Sequence, residues 1–194
     1  MDLRNRAAIT WAAYCLLTCS LLLFLSQPLK AQEASISDIV VANSKNDLLA
    51  FFTIKDAFSQ ELIEGVMHGI PVTFTFHFLL EMSREGWFDK TVVNSSFEHT
   101  LTYDNLKKVY SVRLTEHGGE MRVTDDFSQA QRLMSEANDI PILPLQELLL
   151  DRHYVLRVKA ILEKTTLPLN FHYLIPFTEF WDLKTDWHQV EFVY

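Results

Sequence analysis

Apolar and polar side chains alternate along most of the chain. Val72, Phe74, Phe76, Phe78, Leu80 and Met82 share one face of a stretch whose other face carries Thr73, Thr75, His77 and Glu81, with Leu79 the exception. A period of two over this length predicts a long, half-buried strand. Phe97, His99, Leu101 and Tyr103 alternate with Glu98, Thr100 and Thr102. Asp104-Asn105 reads as a turn, and Tyr110, Val112 and Leu114 point inward from the segment 109–115, so the two segments predict a hairpin. His117-Gly118-Gly119-Glu120 is a second turn, into a short strand from Met121 to Val123. Further on, Tyr154, Leu156, Val158, Ala160 and Leu162 alternate with Arg157, Lys159 and Glu163. Phe171 to Ile175 is another apolar run, and Val190, Phe192 and Tyr194 alternate with Gln189 and Glu191. Near the start, Ile36 to Ala42 and Leu48 to Lys55 predict a first pair around Asn43-Ser44-Lys45-Asn46.

Two helices interrupt the strands. Ser59 can cap the segment Gln60 to His68, with Leu62, Ile63, Val66 and Met67 as its apolar stripe; Gly69 ends it and Pro71 prevents continuation. Thr124 or Asp125 caps a second helix from Asp126 to Ala137, with Phe127, Ala130, Leu133 and Met134 inward. Ile140-Pro141-Ile142-Leu143-Pro144 reads as a rigid link into a short apolar segment, Leu145 to Leu150. The expected fold is mainly β (α+β). It is an antiparallel β-sandwich or curved sheet of about eight strands, with two or three short helices covering an opening or edge.

The N-terminus has a different pattern. Arg4 and Arg6 precede a charge-free run from Ala7 to Leu25. Its length lies between the roughly 15-residue limit of a cleaved signal and the roughly 20 residues of a spanning helix. Residues 1–31 therefore read as a signal peptide, cut after Ala31, or as an N-terminal membrane anchor. Residues 32–194 read as a single β-rich exported domain. The arginines hold the N-terminus inside, which predicts a periplasmic location, either secreted after cleavage or anchored to the inner membrane by residues 7–25.

Composition changes this picture in three ways. Residues 1–31 carry Arg4, Arg6 and Lys30 against Asp2, so a chain of net charge -8 leaves -10 on the rest. That argues against nucleic acid and against general attraction to anionic lipid. Both cysteines, Cys15 and Cys19, lie in the charge-free run, so the exported part can form neither a disulfide nor a thiolate site. Only 5 glycines are present, against 14 phenylalanines. Scarce glycine disfavours a phosphate-cradling loop, and abundant phenylalanine favours packed sheets.

No motif carries recognisable chemistry. His68, His77, His99, His117, His153, His172 and His188 show no metal-ligand spacing on one element, and His77 with Glu81 makes only two ligands. These histidines read as solvent-facing or singly hydrogen-bonded. Glu81, Glu85 and Asp89 read as a solvated strand end rather than a catalytic pair. No Gly-x-Ser-x-Gly elbow occurs. The expectation is a non-enzyme with no catalytic residues, metal or cofactor. The aromatic clusters are more suggestive: Trp87-Phe88 after the long strand, and Phe177, Phe180, Trp181 and Trp187 around Pro176. Trp87, Phe88, Trp181 and Trp187 are the candidate binding residues of a docking surface. Sheet-end packing is the plainer reading of the same residues, because large aromatics are mostly buried.

Several short pieces occur in a telling order. Val66-Met67-His68-Gly69-Ile70-Pro71-Val72 turns into the long strand, and Trp87 follows. Leu101-Thr102-Tyr103-Asp104-Asn105-Leu106 leads to Tyr110-Ser111-Val112, and Trp181-Asp182-Leu183-Lys184-Thr185-Asp186-Trp187 precedes the last strand. In this order the pieces resemble a proteobacterial family filed as domain of unknown function 4390, from roughly Ala34 to Tyr194. Lys184-Thr185-Asp186 departs from that family's serine-containing spacing. The family has no established activity, so the resemblance brings no catalytic residue. Some members are encoded beside sensor histidine kinases, which implies an accessory of envelope signalling. The leading expectation is a periplasmic domain that binds an envelope protein or other envelope component. A carrier for a hydrophobic ligand, with Phe74, Phe76 and Phe78 lining a cavity, is the alternative. An outer-membrane barrel is a third reading, disfavoured by the two helices.

Overall fold

The computed structural model describes residues 34–84, 86–163 and 183–194. The run Ala7–Leu25, the cleavage point, the apolar run Phe171 to Ile175 and the aromatics Phe177, Phe180 and Trp181 lie outside the described residues. Among the described residues no helix is long and apolar enough to cross a membrane.

The described residues form nine strands: β1 (Ser35–Asn43), β2 (Asp47–Lys55), β3 (Val72–Met82), β4 (Lys90–Asp104), β5 (Val109–Leu114), β6 (Glu120–Thr124), β7 (Glu136–Pro144), β8 (His153–Leu162) and β9 (His188–Val193). Helices α1 (Gln60–Met67) and α2 (Phe127–Ser135) and a 3-10 turn (Leu145–Glu147) complete them. The strands make two antiparallel sheets. One has the order β1-β2-β7 and the other β6-β5-β4-β3-β8-β9. Neither closes on itself. The fold is mainly β, as expected.

The alternation along β3 explains how the sheets meet. Phe74, Phe76 and Leu80 are fully buried, and Phe78 nearly so. Phe52 of β2 approaches the rings of Phe76 and Phe97 at 5.6 and 6.2 Å. Phe76 stacks on Phe97 at 4.7 Å. The inner faces of the two sheets thus share one aromatic core, in which each buried phenylalanine contributes about 2–3 kcal/mol of transfer free energy.

Local chemistry sets the helices. The Ser59 side chain accepts from the Leu62 amide at 3.2 Å, as an N-cap should. Gly69 takes φ +83°, and a Cβ there would lie 3.1 Å from the Asn105 side chain, so glycine is needed where α1 turns into β3. At α2 the cap is Asp126, one residue beyond the expected Thr124 or Asp125, and its carboxylate accepts from the Ser128 amide at 2.9 Å. The helix also stops at Ser135, short of Ala137.

The segment read as a rigid link is β7. Pro141 lies opposite Leu49 beside a register shift, and Pro144 opposite Asp47 at the strand's end. Proline lacks the amide that a central strand donates, but β7 is an edge strand and one side of it needs no donor. β4 begins at Lys90 rather than Phe97. Its first half is too polar to show alternation, and pairing with β3 holds it extended.

Candidate functional site

Two loops meet at one end of the larger sheet. The first joins β3 to β4, and the second joins β7 to β8. The Ser83 amide donates to the His153 carbonyl at 2.9 Å and ties them together. In the first, Gly86 takes φ +73°, which reverses the chain and leaves Trp87 80% and Phe88 93% exposed. In the second, buried Leu148 anchors the chain, and the Leu149 amide donates to the Tyr154 hydroxyl at 2.9 Å. Tyr154 is itself buried and stacked on Phe192 at 5.6 Å. With that anchor fixed, Leu149 and Leu150 face outward, 54% and 75% exposed. Between the loops lies a cleft of about 750 Å³, whose lining includes Met82, Arg84, Trp87, Leu149, Arg152 and His153. Arg84 and Arg152 have no carboxylate partner among the described residues.

Trp87 and Phe88 are therefore solvent-facing, not sheet-end packing. Trp187 is half-exposed, with the Lys159 ammonium 4.7 Å from its ring centroid. The structure brings Trp87 and Phe88 together in one loop. Trp181 lies outside the described residues.

The other polar arrangement was not foreseen. His99 is fully buried rather than solvent-facing, and both ring nitrogens are engaged. Its Nδ1 is 3.1 Å from the Met134 carbonyl at the end of α2, and its Nε2 is 2.8 Å from Glu116 Oε1. A carbonyl only accepts, so Nδ1–H donates to it, and the remaining proton of the pair lies between Nε2 and Oε1. The rings of Phe76 and Phe97 stand 4.8 and 5.5 Å from the imidazole. Burial pushes the Glu116 carboxyl up, but the hydrogen bond and charge of His99 pull it down further, so the net direction is below the usual carboxylate range. Among the described residues Glu116 Oε2 is buried without a hydrogen-bond partner, and the His117 ring stands 3.8 Å from Oε1. The signal in the sequence was the inward position of His99 in the β4 alternation. Its partner sits beyond β5, where no spacing rule reaches.

Glu81 is not a solvated strand end. It pairs with Arg157, which also donates to Gln189 at 3.1 Å. Among the described residues no three His, Cys, Asp or Glu side chains gather closely enough to hold a metal ion.

The described residues thus define an α+β domain of two unequal antiparallel sheets, with an open aromatic tip and a sealed histidine–glutamate pair. A family model described as a domain of unknown function (DUF4390) matches residues 31–191, and the chain belongs to that family. No curated protein and no solved structure matches the chain.

Proposed function

We propose that residues 32–194 act as a non-enzymatic contact domain of the cell envelope, which binds a protein or other envelope component through the aromatic tip. One observation carries this reading: two tied loops expose Trp87, Phe88, Leu149 and Leu150 beside two arginines with no carboxylate partner among the described residues, on a domain whose other described aromatics are largely packed. Such residues supply most of the binding energy at contact surfaces. The closest histidine–carboxylate contact among the described residues is sealed from solvent, which speaks against its use on a substrate. Phe74, Phe76 and Phe78, the residues a ligand cavity would use, are buried, and Phe76 is stacked on Phe97, which speaks against a carrier. The periplasmic side is favoured by Arg4, Arg6 and the charge-free run that follows them. The test is a photo-reactive phenylalanine analogue in place of Phe88, in the full chain, in intact cells. A discrete adduct is expected. A chain that crosslinks to nothing overturns the reading.

A further inference from the structure

We propose that the tip docks on the surface of a phospholipid bilayer, with Trp87 and Phe88 inserted at head-group depth and Arg84 and Arg152 on lipid phosphates. This rests on the reading that the tip is the contact surface, and it names the occupant.

Shape is the first reason. Trp87 and Phe88 are 80% and 93% exposed at the loop's turn, and although Trp87 borders the cleft, most of each ring projects into solvent. A projecting ring needs a hole in a protein partner, shaped to match. A bilayer interface yields to it without one, and tryptophan is enriched at that depth because its ring is apolar and its N–H is not. Leu149 borders the same cleft as Trp87, and exposed Leu150 follows it in the chain, so the second loop adds apolar area to the same insertion.

Charge is the second. Arg84 and Arg152 line the cleft behind Trp87 and have no carboxylate partner among the described residues. A guanidinium fork matches a phosphate, which every phospholipid presents. Asp151 lines the same cleft, and Glu85, outside the described residues, and Asp89 flank Gly86-Trp87-Phe88 in sequence, so the tip is not a basic patch. The domain as a whole is acidic and repels an anionic surface. The contact is therefore confined to the tip and driven by insertion.

The charge-free run Ala7–Leu25, outside the described residues, is itself membrane-seeking.

The experiment uses the full chain in vesicles of phosphatidylethanolamine and phosphatidylglycerol in equal parts, with brominated acyl chains as quenchers. The fluorescence lost on changing Trp87→Phe isolates the Trp87 signal. That signal is expected to be quenched by bromine near the head groups. Arg84→Glu with Arg152→Glu is expected to reduce the quenching about fivefold or more, with the unfolding midpoint unchanged. An unquenched Trp87 overturns the bilayer. If Phe88 in cells then captures a protein, the contact-surface reading stands without it. If Phe88 captures nothing, both fall. Quenching that ignores the arginine reversals overturns the phosphate contact.

Discussion

The surroundings of His99 and the tip around Trp87 are opposites. At His99 a polar pair is enclosed by rings and shut off from water. At the tip, rings stand in water beside arginines that pair with nothing described. The first place has groups capable of proton transfer but no access. The second has access, with Asp151 and His153 in its cleft, but no such enclosed pair. Polarity inside this domain fixes how the layers pack, because His99 joins β4 to the end of α2 and to the turn before β6. Apolarity outside it is free for contact.

The same truncation applied in the two places separates them. Phe76→Ala removes a ring that touches Phe52, Phe97 and His99, and is expected to cost about 3–5 kcal/mol in urea unfolding. His99→Ala strands Glu116 without its donor. The expected loss is about 3 kcal/mol, the low end for a broken buried pair because Glu116 sits in a turn. A loss under about 1 kcal/mol would mean that water already reaches the pair.

Acid sharpens the contrast. The folded Glu116 carboxyl titrates below its ordinary value of 4.5. Its contribution is therefore fully present above that value and is lost as pH falls through the lower folded value. The unfolding midpoint of the parent should drop with pH in that window, and Glu116→Gln should make the drop shallower. Asp38, Glu61 and Asp104, whose carboxyls are also held low, are exposed and common to both proteins, so they cancel in the difference.

The smallest effect on stability belongs to the tip. Trp87→Ala with Phe88→Ala should move unfolding by less than about 0.5 kcal/mol, since neither ring is packed. A large loss would show that the rings support the fold and would end the contrast.

Most of the sheet framework was legible because one-sided burial writes a period of two into the sequence. β3, β5 and β8 follow that period, and Ser59 and Gly69 marked the ends of α1. β7 was hidden because Pro141 and Pro144 argue against a strand, and only the edge position excuses them. The polar half of β4 was hidden because its partner, not its own residues, keeps it extended. At the tip, residue type singled out Trp87 and Phe88, but their direction depended on Gly86 and on loop ties that no local pattern encodes. The double engagement of His99, expected to be solvent-facing or singly hydrogen-bonded, was hidden because its partners come from α2 and from the turn after β5.

β3 lies between β4, its neighbour in sequence, and β8, which aligns Leu162 with Phe74. β2 likewise waits for β7, whose Pro144 reaches Asp47. The hairpins up to β6 can zip as soon as they are synthesised, but the smaller sheet lacks β7 until residues 136–144 have emerged, and the larger lacks β8 and then β9 until residues 153–162 and 188–193 have. Until β8 pairs, the apolar row from Val72 to Leu80 has an open flank, a template for pairing with other nascent copies. Assembly of this domain is thus gated by its last third, and a chain stopped before His153 should aggregate rather than fold partway.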